Sequence, residues 1–260
     1  MSNLDADDLG QGAASQLVIA DGESPPLPPR PRLSFRCPAE LEGVIPRPIP
    51  AAQGLPEWLR SMPAEAFSAL VDGPDDTVKR CPPFIDAMSE GVLLPLVCDL
   101  HVRDGEFTWD GEMPAGRSLV YPRGPISLHD PAQTEGTPFF DRNAYTIKFH
   151  NLWTVAAPEG WAILFTHPAN RADLPFTTLT GLVDCDRYQS GFIHFPAVWR
   201  DPGFCGTLPA GTPIAQAFPV RRERFILDIG PMDEDQTRSA HDLAAEMARD
   251  RGVYRRRFRL

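Results

Sequence analysis

Prolines recur so densely along this sequence that long uninterrupted helices are excluded from most of it. The chain holds 29 prolines in 260 residues, roughly twice the usual frequency. Because proline removes a backbone donor and disrupts a helix interior, it is tolerated mainly in loops, at helix starts and on edge strands. The sequence therefore favours a mainly β fold with short elements over a helical bundle.

Short apolar runs bounded by turn residues predict the strands of such a fold. They are rich in β-branched and aromatic residues and are separated by Pro, Gly, Asn and Asp. The runs are GVLLPLVCDLHVRDGEFTWDG, AYTIKFHNLWTVAAP, GWAILFTH, SGFIHFPAVW and GTPIAQAFPVRRERFIL. In the first run, Asp104 and Gly105 are the residue types of a two-residue hairpin turn. This spacing of strands and turns is typical of a barrel or a sandwich.

Three regions and three helices are predicted around these strands. Residues 1–32 are acidic and then proline-rich, a composition that predicts a disordered leader. Residues 33–230 form the predicted mainly β domain, which begins with two short helices, one in PEWLRSMPAEAFSALV and one over Thr77–Met88. Residues 231–260 contain a predicted helix with acidic residues at its start and arginines at its end, followed by an arginine-rich tail.

Charge and composition exclude some classes of function. The net charge of −10 repels phosphate backbones and argues against nucleic-acid binding. No run approaches about 18 apolar residues, so no membrane span is predicted, and the first residues lack a signal-peptide pattern. The five cysteines include no C-x-x-C pair, which favours reduced thiols and a cytoplasmic protein.

Two motifs indicate where chemistry takes place. The first, LTGLVDCDRYQSG, contains Asp184 and Asp186 and then Tyr188, while the second, GTPIAQ, ends in Gln216. An aspartate in a partly enclosed site is able to take a proton from water. The same aspartates are equally suited to shaping a tight turn through side-chain hydrogen bonds to the backbone. The residues alone leave both interpretations open.

These two motifs, in this order, resemble those of the dUTPase and dCTP deaminase superfamily. The resemblance implies a β-clip fold, a distorted barrel that often forms homotrimers with sites between subunits. It also implies that Asp184 activates water beside Mg²⁺ with Asp186 as its neighbour, and that the Tyr188 ring meets a nucleotide sugar. In this sequence Arg187 is an extra residue before the tyrosine. The segments TVKRCPPFIDAMSEG, KFHNLWTV, LFTHPANR and GTPIAQAFP also resemble a family of bacterial and phage proteins, which implies no particular chemistry.

A polar turn after a buried-looking strand adds further candidates. The run HPANR places His167, Asn170 and Arg171 in a loop, and loops held by a rigid scaffold often carry function. His167 is a third candidate catalytic residue beside the two aspartates. Asn170 and Arg171 are candidate substrate-binding residues, together with Tyr188 and Gln216.

Four histidines in or beside predicted strands offer a different chemistry. His129, His150, His167 and His194 are candidate ligands of a transition metal inside a β barrel. None has a metal-ligand spacing such as H-x-H or H-E-x-x-H, so such a site has to be assembled from separate strands. Histidines on apolar strands are also common as hydrogen-bonded core residues.

The leading hypothesis is a small-molecule enzyme, a Mg²⁺-dependent phosphate-ester or nucleotide hydrolase. One alternative is a metalloenzyme with a transition metal bound by His and Asp. Another is a non-catalytic trimeric binding or structural module. The expected partners are a small-molecule ligand and further copies of the same chain, as a homo-oligomer. Cys185, between the aspartates, is a candidate nucleophile only with a base beside it.

Overall fold

A computed structural model describes residues 31–110, 124–139, 146–250 and 252–259. The predicted leader, residues 1–32, lies outside these ranges apart from its last two residues. Its disorder therefore stays a prediction, as do the proposed domain boundaries. Within the described residues, none of the helices has the length and hydrophobicity that a bilayer span requires.

The described residues confirm a mainly β fold with two short N-terminal helices and a C-terminal helix. The strands are β1 (Ser34–Arg36), β2 (Ile49–Pro50), β3 (Glu65–Ser68), β4 (Gly73–Asp76), β5 (Val92–Pro95), β6 (Leu100–Arg103), β7 (Glu106–Thr108), β8 (Ile126–Leu128), β9 (Thr146–Phe149), β10 (Thr154–Ala156), β11 (Trp161–Thr166), β12 (Phe176–Thr178), β13 (Gly181–Val183), β14 (Phe195–Trp199), β15 (Gly206–Leu208) and β16 (Pro213–Arg221). The helices are α1 (Glu57–Ser61), α2 (Pro82–Ser89), α3 (Glu234–Arg249) and α4 (Val253–Arg257).

Two antiparallel sheets carry most of the strands. The larger has the order β13-β11-β16-β5-β2, and the second has the order β12-β14-β9-β8. Three smaller sheets have the orders β15-β6-β7, β3-β4 and β1-β10. Each sheet in the described part of the chain is an open ladder with two edges, so the distorted barrel implied by the resemblance is not closed there.

The main core lies where aromatic side chains of the two large sheets meet. Phe165 on β11 and Phe195 on β14 have ring centroids 5.3 Å apart across the two sheets, and within the second sheet Phe149 on β9 lies 4.7 Å from Phe176 on β12. All four side chains are at most 2% exposed. Burying side chains of this size stabilises the fold by about 1.5–3 kcal/mol each. This packing holds β11 rigidly, and β11 positions the candidate site.

The first predicted helix ends after about a third of its predicted length. Helix α1 stops at Ser61 because Met62 precedes Pro63, and a residue before proline is driven out of the helical conformation. The residues that follow form the β3-β4 hairpin instead. Phe67 and Leu70, two apolar residues of the predicted helical segment, are 74% and 98% exposed.

The last predicted strand also ends early. Strand β16 stops at Arg221, which pairs with Trp161 at the very start of β11. Beyond that point the described chain offers no neighbouring strand, so the run RFIL forms no ladder. Phe225 and Ile226 are 86% and 95% exposed.

The C-terminal helix begins as the sequence predicts. The Asp233 carboxylate accepts the N–H of Gln236 at 2.8 Å, and the Gln236 side-chain oxygen accepts the N–H of Asp233 at 3.0 Å. This capping box satisfies two backbone donors that the first helical turn leaves unpaired. No residue of α3 is buried within the described structure, so the helix does not contribute to the core.

Candidate functional site

Three chain segments converge at the start of strand β11. This strand pairs on one side with β13, in the register Ile163 to Val183, and on the other side with β16, in the register Trp161 to Arg221. The residues after β13, before β11 and after β16 therefore lie at the same end of the sheet. This juxtaposition brings the two motif aspartates to an arginine far away in sequence.

Asp186 is the buried centre of this end of the sheet. Its side chain is only 3% exposed, and its Oδ2 accepts the N–H of Gly160 at 2.9 Å and the Nη2 of Arg222. The carbonyl of Gly160 in turn accepts the N–H of Arg222 at 2.8 Å. Gly160 has a φ of +81°, a conformation that glycine adopts without strain. The turn before β11 thus fixes both charged side chains.

Asp184 has a different environment from Asp186. Its side chain is 48% exposed, and its Oδ2 lies 3.3 Å from Nη1 of Arg222. Its backbone carbonyl accepts the N–H groups of Arg187 and Tyr188 at 2.9 and 2.8 Å. The tight turn is therefore closed by main-chain bonds, and the Asp184 carboxylate remains accessible to solvent.

Two buried polar atoms at this site have no hydrogen-bond partner among the described residues. They are Oδ1 of Asp186 and Nε of Arg222. Native proteins rarely leave such atoms unpaired, so each calls for a water molecule or a ligand group. A depression of about 650 Å³ opens beside them. It is lined by Glu159, Gly160, Asp186, Arg187, Gln189 and Arg222.

The other predicted catalytic residue, His167, lies at the opposite end of β11. It follows Thr166, which pairs with Gln216, whereas the aspartates lie near Trp161. Five residue steps at about 3.3 Å each separate the two ends of this strand by roughly 17 Å. Within one chain, the structure does not bring the predicted catalytic set together.

Both ring nitrogens of His167 are engaged by the backbone. Nε2 donates to the carbonyl of Arg171 at 3.0 Å, and Nδ1 accepts the N–H of Thr178 at 3.3 Å. Burial lowers the pKa of His167, which keeps the ring neutral and suits this pair of bonds. The arrangement favours a role in holding the HPANR loop over a role as base or metal ligand.

Gln216, a candidate substrate-binding residue, is fully committed to the fold. It is 1% exposed, and its side-chain oxygen accepts the N–H of Ala169 at 2.8 Å. Its side-chain nitrogen donates to the carbonyls of Ala87 at 3.0 Å and Glu90 at 2.7 Å. The side chain ties the HPANR loop to the end of α2, and both of its N–H donors are used in doing so.

The remaining substrate-binding candidates are divided between the two ends. Arg171 makes two parallel hydrogen bonds to Asp173, from Nε and Nη2, each of 2.9 Å. Asn170 shapes the same loop with a φ of +58°. Tyr188 lies near the aspartates and is 51% exposed, with its ring against Gly191. Of the three, Tyr188 is the one that lies at the same end of β11 as the aspartates.

Two of the four candidate metal ligands, one buried and one partly buried, lie against each other. The rings of His150 and His194 are 5.0 Å apart. His150 Nδ1 donates to the carbonyl of Gly124 at 2.7 Å, so its Nε2 accepts the hydroxyl of Ser127 at 3.0 Å. Burial, with the charges of His150 and Lys148, lowers the pKa of His194 to about 4. Both rings are therefore neutral at pH 7.

The histidines do not form a metal centre in the described part of the chain. There, no group of three or more His, Cys, Asp or Glu side chains is placed to hold an ion. His129 lies apart, with its Nδ1 2.5 Å from the side-chain oxygen of Gln133. The transition-metal hypothesis therefore gains no support from the described residues.

Cys185 lies in an environment that opposes nucleophilic catalysis. It is 0% exposed, and burial, followed by the charges of Asp184 and Asp186, raises its pKa to about 11. Because the thiolate is the reactive form, this thiol is almost entirely protonated at neutral pH.

The sequence motifs did not indicate Arg222, which the structure places between the two aspartates. It follows β16 in the run VRRER, where nothing distinguishes it from the arginines on either side. The only available signal was that a buried aspartate requires a cation or several donors. Which arginine meets that requirement depends on the pairing of β11 with β16.

Comparisons with known proteins find distant likeness only. No family model and no curated protein matches the chain. Among solved structures, a dUTPase from phage phi11 of S. aureus is 17% identical over 35% of this chain and 73% of its own, with a TM-score of 0.25. A mutant of the same dUTPase, described with a structural Mg(II) ion, is 15% identical over 42% of this chain and 97% of its own. Its TM-score is also 0.25.

A third structure gives the same result. A mutant dUTPase of Staphylococcus bacteriophage 80alpha with dUpNHpp is 14% identical over 42% of this chain and 88% of its own, with a TM-score of 0.26. Similarity at this level does not establish what this chain does.

Proposed function

We propose that this protein hydrolyses a phosphate ester or a nucleotide in the polar depression beside Asp184, Asp186 and Arg222. The observation that supports the proposal is that the two aspartates share one arginine but differ in exposure to solvent. Asp186 is buried and fixes the guanidinium of Arg222, while Asp184 is half exposed and lies 3.3 Å from the same guanidinium. A fixed cation beside a solvent-facing carboxylate supplies both charge stabilisation and a proton acceptor.

The chemistry assigned to these residues is a direct attack by water. One oxygen of Asp184 accepts a proton from a water molecule as the water oxygen bonds to phosphorus. The bond from phosphorus to the leaving oxygen breaks, and the proton passes from Asp184 to that oxygen. Arg222 and Arg187, which both line the depression, offset the negative charge that accumulates on the phosphoryl oxygens.

The residues present fit Mg²⁺ only as an ion that the protein and the substrate bind together. Proteins commonly hold this ion through one or two carboxylates together with the phosphates of the substrate. Asp184 is the accessible carboxylate beside Arg222, and Glu159 lines the depression that Arg222 also lines. They would hold the ion with the substrate, and the ion would neutralise phosphate charge.

A second candidate function is binding of a small anion without turnover. It is favoured because the positive charge of Arg222 is already offset by the two carboxylates of Asp184 and Asp186. Among the described residues, the exposed Arg187 side chain has no ion-pair partner, so it is the cation that remains for an anion. In this alternative Asp184 serves only to orient Arg222.

Phosphate release from a substrate panel tests the proposal. The purified full chain is incubated with nucleoside mono-, di- and triphosphates and with an aryl phosphate, with and without Mg²⁺. We expect release from at least one compound, with Mg²⁺ required. If no compound is hydrolysed but an anion raises the melting temperature by binding the native state, the binding function replaces the hydrolase. No hydrolysis and no shift would overturn both.

A further inference from the structure

One polar side chain at the candidate site has no part in the proposed hydrolysis. Gln189 lines the same depression as Arg187 and Arg222. Its side-chain nitrogen donates to the backbone carbonyl of Asp186 at 2.7 Å. The nitrogen and the oxygen of a side-chain amide are bound to one carbon, so this hydrogen bond also fixes the position of the oxygen. Gln189 is therefore an oriented hydrogen-bond acceptor in the depression.

The side-chain oxygen of Gln189 is accessible to a ligand. Gln189 is exposed, and within the part of the chain that the structure describes its oxygen accepts no hydrogen bond. An amide oxygen accepts hydrogen bonds and does not donate them, and a phosphate dianion offers only acceptor oxygens. The donor that replaces water at this oxygen therefore has to come from the alcohol part of a phosphate ester. A hydroxyl group supplies such a donor.

The charges at the site limit the number of phosphate groups that it can hold. The site has three carboxylates and two guanidinium groups, those of Glu159, Asp184, Asp186, Arg187 and Arg222. Arg222 is already paired with both aspartates, so Arg187 is the cation left for a phosphate among the described residues of the site. A second or third phosphate group adds negative charge without a further cation, and like charges placed together weaken binding. These charges favour a monophosphate over a triphosphate.

We propose that the substrate of this site is the monophosphate ester of a polyol or sugar, and that Gln189 selects it by accepting a hydrogen bond from one of its hydroxyl groups. The inference rests on the proposed hydrolysis and narrows its substrate to this class. Water bonds to phosphorus, the bond from phosphorus to the polyol oxygen breaks, and the products are inorganic phosphate and the free polyol. Gln189 takes no part in this exchange of bonds, so it is a specificity-determining residue.

Two matched pairs of compounds test the two halves of the proposal. Glycerol phosphate carries free hydroxyl groups and propyl phosphate carries none, while uridine monophosphate and uridine triphosphate differ only in the number of phosphate groups. The purified full chain is incubated with each compound and Mg²⁺, and the loss of the compound is followed by anion-exchange chromatography. Gln189→Leu removes the acceptor. Gln53→Leu, at an exposed position outside the depression, is the matched control.

We expect kcat/KM for glycerol phosphate to exceed that for propyl phosphate by at least about fivefold, as the gain of one ordinary hydrogen bond predicts. Uridine monophosphate is consumed faster than the triphosphate. Gln189→Leu reduces the preference for glycerol phosphate to within about twofold, whereas Gln53→Leu retains it. The ratio of the two rates is the decisive readout, because a general disturbance of the site slows both compounds alike.

The outcomes separate this inference from the proposed function. Equal rates for glycerol phosphate and propyl phosphate, fastest consumption of uridine triphosphate, or a preference that survives Gln189→Leu would overturn the inference and leave the hydrolase in place. If nothing is hydrolysed, the proposed function fails, and the same compounds are titrated calorimetrically. Tighter binding of glycerol phosphate than of propyl phosphate then supports the ligand class, and equal or absent binding overturns it as well.

Discussion

The carboxylate of Asp186 binds the guanidinium of Arg222, which is 36 residues away in sequence. The side chain of Asp186 is only 3% exposed. The same carboxylate oxygen accepts the backbone N–H of Gly160 at 2.9 Å. Three segments of chain are thereby joined at one point of the five-stranded sheet. A charge this deeply buried is tolerated only with a partner.

Removing Arg222 is expected to destabilise the fold because it leaves the Asp186 charge buried and unpaired. For Arg222→Met we expect a loss near the lower end of about 3–5 kcal/mol in the free energy of unfolding, since Arg222 is 26% exposed. Urea denaturation at pH 7 measures it. The double variant with Asp186→Leu should recover part of the loss. The control Arg187→Met, at an exposed position, should change stability by less than about 0.5 kcal/mol, and an equal effect of both arginine substitutions would contradict the assignment.

Gln216→Leu is expected to destabilise the protein although it inserts an apolar residue into a buried position. The substitution leaves the N–H of Ala169 and the carbonyls of Ala87 and Glu90 without the bonds that Gln216 makes. We expect a loss of about 2–3 kcal/mol, measured by urea denaturation. Gln53→Leu, at an exposed position, is the control. If stability is retained but ligand binding is lost, Gln216 is a substrate-binding residue after all.

Stability is expected to fall as the solution is acidified below neutral pH. Burial lowers the pKa of His150, and burial with the charges of His150 and Lys148 lowers that of His194 to about 4. The unfolded chain, with histidine pKa values of about 6.5, therefore binds protons at a higher pH than the folded chain does. This part of the stability is complete above about pH 6.5 and is lost as the pH falls towards 4.

Melting temperatures between pH 7.5 and pH 4.5 test this dependence on the histidine pair. His194→Gln should flatten the curve, whereas His241→Gln, at an exposed position on α3, should leave it unchanged. A curve that is as steep in His194→Gln as in the wild type would show that other groups are responsible.

Thiol labelling should separate the cysteines by exposure. Cys81 and Cys205 are exposed, whereas Cys185 is buried and has a pKa raised to about 11 by burial and by its two neighbouring aspartates. In the native protein we expect maleimide to modify the first two rapidly at pH 7.5 and to leave Cys185 unmodified until denaturant is added. Peptide mapping by mass spectrometry measures this. Fast modification of Cys185 in the folded state would reopen its role as a nucleophile.

Features set by neighbouring residues could be predicted from the sequence. The turn at Asp104 and Gly105 forms between β6 and β7 as expected, with φ values of +52° and +79°. The start of α3 follows from Asp233 and Gln236, which lie three residues apart. In each case the residues that form the feature are close together in the chain, so the local sequence pattern is enough to predict it.

Features set by strand order could not be predicted in this way. The Asp186 and Arg222 pair depends on β11 lying between β13 and β16, and the bond from Ser127 to His150 depends on the pairing of β8 with β9. The helix expected over Phe67 failed for a local reason, the proline that follows Met62. The motif aspartates both lie beside Arg222, but this shared partner and their different exposures depend on contacts between distant segments.

The central claim is that Asp184 accepts the proton of the attacking water. Phosphate release by Asp184→Asn is compared with release by the wild type and by Asp242→Asn, a matched change at an exposed position on α3, using whichever compound of the panel the wild type hydrolyses fastest. We predict that kcat falls by a factor of about 10²–10⁴ in Asp184→Asn, with an unchanged melting temperature, while Asp242→Asn retains wild-type activity. A kcat in Asp184→Asn within about threefold of the wild type, well short of the loss that general-base catalysis predicts, would contradict the account.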